Sequence, residues 1–89
     1  MIKNIEYVTA VFAALGHKSR LLIVEALADG ENCVCELKEI VGSEMSTVSK
    51  HLNVLKNAGI VESRKQNNQV FYSLSCRCVL DFIKCLEER

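Results

Sequence analysis

The sequence predicts a mainly α-helical single domain with one small β-hairpin, arranged as a winged helix-turn-helix. Three observations predict it. Apolar residues recur at helical spacing in five separate segments. Two of those segments, 33–41 and 46–58, are joined by a tight glycine-containing turn, which is the helix-turn-helix layout. Directly after them, two β-prone runs flank the polar stretch Gln66-Asn67-Asn68, the pattern of a hairpin.

Residues 5–15 are strongly apolar, with Ile5, Val8, Val11, Phe12 and Leu15, and Gly16 stops them. Residues 18–28 form a second helix, whose apolar surface comes from Leu21, Leu22, Ile23, Val24 and Leu27; Asp29-Gly30 ends it. The short helix 33–41 turns Val34, Leu37, Ile40 and Val41 inward and closes at Gly42. In the longer helix 46–58, Ser46 is expected to cap the start. Val48, Leu52 and Leu55 face inward, and Gly59 ends it. Ile60–Lys65 and Gln69–Leu74 then make the wing. A last helix, about 77–88, repeats Val79, Phe82, Ile83 and Leu86 on one stripe. Apolar stripes on both terminal helices exceed what so small a core can use, so these helices are expected to form a homodimer interface.

The chain has 89 residues, 49% of them hydrophobic, without proline, repeats or low-complexity tracts, and reads as one domain over residues 1–89. No stretch approaches the roughly 18–20 continuous apolar residues that cross a membrane. The N-terminus lacks a signal-peptide layout, so a soluble cytoplasmic protein with no membrane partner is the expectation. Net charge is zero, but it is unevenly spread. Residues 45–72 carry Lys50, Lys56, Arg64 and Lys65 against Glu62, a balance of +3. Residues 25–44 carry Glu25, Asp29, Glu31, Glu36, Glu39 and Glu44 against Lys38, a balance of −5. A basic region on an otherwise acidic chain suits local phosphate contact.

On the exposed face of 46–57, Ser46, Thr47, Ser49, Lys50, His51 and Asn53 can address base edges or phosphates of double-stranded DNA. Ser49 and Lys50 are the foremost base-contact candidates. Arg64, Lys65, Asn67 and Asn68 on the wing are expected at phosphate or minor groove. For His51, a local hydrogen bond fixing its helix weighs equally with DNA contact. His17 reads as a capping or packing residue, and Tyr72 as packing the wing.

Five cysteines without a secretory signal point to metal binding or thiol redox chemistry rather than a disulfide framework. The candidate ligands are Cys33, Cys35, Cys76, Cys78 and Cys85, which bind soft ions as thiolates. Both C-x-C pairs stand at helix starts, where the dipole and free N–H groups favour negative charge; Glu31 and Glu36 oppose this at the first pair. In a regular helix, residues i and i+2 point about 200° apart, so Cys33 and Cys35 can share an ion only across an irregular turn. Cys78 and Cys85 lie two turns apart, which leaves Cys76/Cys78 as the better chelate; core packing of Cys85 weighs equally with ligation. A disulfide-based oxidant sensor is the alternative. A thiol-exchange protein or metallochaperone is the alternative from another class. No feature supplies a catalytic base or substrate pocket, so no enzyme is expected.

Three stretches together resemble the ArsR/SmtB family of winged-helix repressors, from about residue 8 to 87. Ala14-Leu15-Gly16-His17-Lys18-Ser19-Arg20-Leu21 resembles the family's opening. Ser46-Thr47-Val48-Ser49-Lys50-His51-Leu52-Asn53-Val54-Leu55-Lys56-Asn57-Ala58-Gly59-Ile60-Val61 resembles its recognition helix and exit. Gln69-Val70-Phe71-Tyr72-Ser73-Leu74 resembles its second wing strand. Glu31-Asn32-Cys33-Val34-Cys35-Glu36-Leu37 is similar to the thiol site of arsenite- and cadmium-responsive members. The resemblance implies a homodimer that binds operator DNA and leaves it when thiolates take a thiophilic ion: arsenite first, with cadmium, lead or zinc as other candidates. The third thiol of the arsenite type would fall at Lys38, and residues 1–32 contain no cysteine, so the resemblance puts the third sulfur at Cys76, Cys78 or Cys85. The histidines that the zinc and nickel type carries on its last helix are absent from residues 75–89.

Overall fold

The computed structural model describes residues 1–89. It contains helices α1 (Ile5–Leu15), α2 (Lys18–Leu27), α3 (Val34–Val41), α4 (Met45–Asn57) and α5 (Cys78–Glu87), and strands β1 (Asn32–Cys33), β2 (Val61–Gln66) and β3 (Gln69–Leu74). The core is wholly apolar. Ile23, Val24 and Leu27 of α2 meet Leu37 of α3 and Val48, Leu52 and Leu55 of α4, with Ile60, Val61 and Leu74 closing the layer from the sheet side. The i, i+4, i+7 spacing on α4 leaves its opposite face to solvent.

Helix ends follow local chemistry. The Asn4 side chain accepts from the Tyr7 amide at 3.2 Å, and His17 Nδ1 accepts from the Ser19 amide at 3.1 Å, so His17 is the N-cap of α2. Gly42 ends α3 at φ 75°, a left-handed conformation that costs a side chain strain. The expected cap at Ser46 is corrected. Helix α4 begins one residue earlier, with Val48 N–H bonded to the Glu44 carbonyl at 3.0 Å. Ser46 therefore lies inside the first turn, and Glu44 is the N-cap without a side-chain bond.

The wing has a third strand that hydropathy patterning did not show. The sheet order is β1-β3-β2, all antiparallel, with Asn32 opposite Tyr72 and Cys33 opposite Phe71. Two residues are too few to display a period of two. Their strand identity comes from backbone bonding to β3. As a consequence α3 starts at Val34, and Cys33 is its N-cap in extended backbone. The β2–β3 register runs from Val61↔Leu74 to Gln66↔Gln69, closed by Asn67-Asn68 with Asn67 at φ 57°.

The terminal helices contribute less to the core than their apolar content allows. Helix α1 buries only Ala14 and Leu15. Ile5, Tyr7 and Phe12 stay exposed beside Phe82 and Leu86 of α5, and Phe12 meets Phe82 edge to face at 5.5 Å. No single helix is long and apolar enough to cross a membrane.

Leu52 is fully buried at the centre of α4. Leu52→Ala should destabilise the fold by about 2–5 kcal/mol in urea denaturation. Val54→Ala, on the exposed side of the same helix, should cost under ~0.5 kcal/mol.

Candidate nucleic-acid interface and thiol sites

Helix α4 presents Ser46, Thr47, Ser49, Lys50 and Asn53 to solvent, opposite its buried apolar stripe. Ser46, Ser49, Lys50 and Asn53 share i, i+3, i+4, i+7 spacing, so the polar groups form one continuous strip. Lys65, Asn67 and Asn68 are exposed at the wing tip. Lys56 Nζ donates to Ser63 Oγ at 2.9 Å, pinning the base of the wing to α4.

Two of the candidates sit differently. His51 is half-buried, with Nδ1 3.3 Å from Arg20 Nη1 and its ring centroid 4.4 Å from that of His17. Arg20 Nε also donates to the Ala14 carbonyl at 2.6 Å. The histidine thus ties α4 to the junction of α1 and α2 through a partner 31 residues away, rather than through a hydrogen bond local to its own helix. Burial, then the neighbouring His17, then the Arg20 charge hold the His51 imidazole below the usual histidine range.

Arg64 is exposed but engaged. Its Nε and Nη2 bind the Glu31 carboxylate at 2.8 and 2.5 Å, and its Nη1 donates to Gln66 Oε1 at 2.6 Å. The guanidinium lies 5.0 Å from the Phe71 ring centroid. The hydrogen bond from Arg64 holds the Glu31 carboxyl below its ordinary value, and the same bond raises Arg64. Glu31 was legible only as part of an acidic segment. Its partner is 33 residues away, so no local spacing rule could pair them.

The cysteines fall into separate places. Cys33 is buried at the end of β1, and its amide donates to the Glu36 carboxylate at 2.9 Å. Cys35 is exposed in the first turn of α3. The geometry expected for two thiols within one helical turn is therefore replaced by one buried thiol on a strand and one exposed thiol on a helix. Cys76 and Cys78 approach to 3.0 Å between sulfurs. They line an apolar groove of about 320 Å³ with Val8, Val11, Phe12, Val79 and Phe82. The hydrogen bond to Cys78 raises the Cys76 thiol above its ordinary value, with burial adding to it, so the partner sulfur outweighs the nearby helix start. Cys85 is exposed, which corrects the core-packing expectation for it: the buried residue of α5 is Val79, and the last turns of that helix face solvent. The chain brings no three histidine, cysteine, aspartate or glutamate side chains into a group able to hold a metal ion. No thiol from the C-terminal set joins Cys33 and Cys35.

Comparison with known proteins gives a consistent frame. The family described as "Bacterial regulatory protein, arsR family" matches residues 17–63. An uncharacterised HTH-type transcriptional regulator of Methanocaldococcus jannaschii is 36% identical over 88 residues, covering 98% of this chain and 99% of the relative. A cadmium resistance transcriptional regulatory protein CadC homolog of Staphylococcus aureus is 44% identical over 68 residues, 75% of this chain; the match spans 56% of the relative's length. The solution structure of a homodimeric winged helix-turn-helix DNA-binding domain from Mycobacterium bovis, a possible ArsR-family regulator, superposes with a TM-score of 0.84 at 26% identity, covering 98% of this chain and 84% of that one.

A histidine held neutral by its surroundings binds fewer protons in the native than in the unfolded state, so stability rises with pH. The His51 contribution should be lost as pH falls through the unfolded histidine value near ~6.5, levelling off below the folded pKa. NMR titration should place the His51 midpoint below that value, and His51→Asn should flatten the acid arm of the urea midpoint. A His51 midpoint at or above the ordinary value would contradict the assignment.

Proposed function

The chain belongs to the arsR family of bacterial regulatory proteins, and on that premise we propose that it is a homodimeric repressor that leaves operator DNA when its thiolates bind arsenite or a similar thiophilic ion. The observation that carries this reading is the position of Cys33-Val34-Cys35. One thiol ends β1, the third strand of the wing sheet, and the other opens α3, the first helix of the helix-turn-helix. A ligand at these sulfurs acts at once on the neighbours of both DNA-reading elements, the strand paired with β3 of the wing and the helix that precedes α4.

DNA recognition uses the exposed strip of α4 in the major groove, with Ser49 and Lys50 at base edges and Ser46, Thr47 and Asn53 beside them. The wing tip, Lys65 with Asn67 and Asn68, meets the backbone. Two protomers joined through the apolar faces of α1 and α5 present two such helices to an inverted repeat. This use of the terminal helices accounts for Ile5, Phe12, Phe82 and Leu86 being left in solvent.

Cys33 is buried, so an ion can be bound only if β1 or the start of α3 shifts to bring its sulfur toward Cys35. Arsenite takes three sulfurs, and the third is supplied by Cys76, Cys78 or Cys85. Cadmium, lead and zinc have the same access to these thiols. The similarity to a cadmium resistance transcriptional regulatory protein CadC homolog supports a soft-ion ligand class. Because ligand and DNA compete through one conformational equilibrium, DNA weakens ion binding by the same factor that the ion weakens DNA binding.

A second reading rests on the 3.0 Å approach of Cys76 and Cys78. The two thiols are placed to lose two electrons and two protons to a peroxide-class oxidant and form a disulfide, giving a redox-controlled repressor.

Fluorescence anisotropy on DNA from the chain's own promoter tests both, with reductant present for the ions and removed before peroxide is added. Stoichiometric arsenite should release the wild type. Cys33→Ser should keep operator binding within about twofold and lose the release; unchanged release would remove Cys33 from the sensor. Release by peroxide alone would favour the redox reading. Lys50→Ala should weaken operator binding by roughly tenfold or more, the ~1–3 kcal/mol of one base-edge contact, while leaving ion binding intact.

A further inference from the structure

The cation of Arg64 is engaged within its own chain, on the protein surface. Three of its nitrogens are engaged by Glu31 and Gln66, and its plane lies over Phe71. Phe71 is the strand partner of Cys33, and Glu31 is separated from Cys33 by Asn32 alone. The pair therefore fastens the tip half of β2 to the segment that carries the first two thiols, across the intervening strand β3. An exposed ion pair is usually worth little. This one has two parallel bonds in the fork geometry of guanidinium and carboxylate, a third bond along β2 and the face of Phe71 5.0 Å from the guanidinium carbon, which together fix an orientation rather than just an attraction.

We propose that Glu31 and Arg64 are positioning residues for DNA binding: their ion pair sets the wing against the cysteine-bearing strand, and ligation at Cys33 and Cys35 disengages the wing by pulling that pair apart. The first half stands on the geometry alone; the second rests on the sensor reading above. Strand β1 is only two residues long, so it has little of its own to resist a shift. A movement that carries the buried Cys33 sulfur out toward an ion carries Glu31 with it. Arg64 then loses its anchor, and the wing loses its set against the operator.

The test separates position from charge. Plain electrostatics says that removing an acid from a DNA-binding surface tightens binding. The positioning role has the opposite sign. Glu31→Gln should weaken binding to promoter DNA about fivefold in ligand-free protein. Arg64→Lys keeps the charge but cannot make the fork, and should weaken it by a similar factor. The double variant should lose no more than either single one, because both break the same pair. The slope of log affinity against log salt should stay that of the wild type, since no phosphate contact is removed.

Tighter or unchanged binding in Glu31→Gln overturns the proposal, as does full retention in Arg64→Lys with a normal salt slope, or additive losses in the double variant. With arsenite as probe, the release factor should shrink in Glu31→Gln, because part of the wing's displacement has already happened. A wild type that ignores arsenite and cadmium overturns the sensor reading and with it the second half of the proposal, while weakening by Glu31→Gln still upholds the first. A wild type that responds, beside a Glu31→Gln variant released by the same factor, overturns the coupling alone.

Discussion

The rest of the structure depends on the burial of one stripe of α4. Val48, Leu52 and Leu55 are removed from water against α2, α3 and the base of the sheet. That contact fixes the rotation of α4 about its axis, and rotation decides which residues are offered to a partner. With the stripe inward, the strip Ser46, Ser49, Lys50 and Asn53 has no other place than solvent. Transfer of apolar area out of water is non-directional, but on a helix of fixed period it becomes directional through sequence spacing. The exposure of this polar strip is thus a by-product of core formation.

Around that anchor, polar contacts set orientation rather than supply stability. Arg20 and His51 join α4 to the α1–α2 junction, Lys56 and Ser63 join α4 to the wing, and Glu31 and Arg64 join the wing to the strand of Cys33. Each is exposed or half-buried, where single polar contacts contribute modestly. Their shared effect is to hold two elements, the recognition helix and the wing, in one relative arrangement. An assembly held by several weak and specific contacts over a strong apolar core is suited to being reset by a ligand, since little has to be broken.

The distribution of the thiols follows the same division. Cys33 behaves as a small apolar residue at the edge of the core, whereas Cys35, Cys78 and Cys85 stand in water. Bringing a buried and an exposed sulfur to one ion requires backbone movement. The Cys76/Cys78 pair differs: its sulfurs already touch, and closing a bond there needs little motion, which suits electron transfer better than conformational signalling.

By itself the sequence determined the helices, the hairpin, and the buried stripe and exposed strip of α4, because these are written in periods of 3.6 and 2 within short windows; on α3 the expected inward face is corrected, since Leu37 is buried but Ile40 is 47% exposed. The capping role of His17 was also legible, since a cap acts within three residues of itself. The tertiary structure alone decided the rest. It made Asn32–Cys33 a strand, buried Cys33 while exposing Cys35, turned His51 toward Arg20 and His17, and spent Arg64 on Glu31. Ser46 shows the limit within a single helix, since a one-residue shift of the start moved it from cap to first turn. These features rest on contacts between residues far apart in the chain, 31 for Arg20 and His51 and 33 for Glu31 and Arg64. Local propensity carries no term for such contacts; they exist only once burial has brought the elements together.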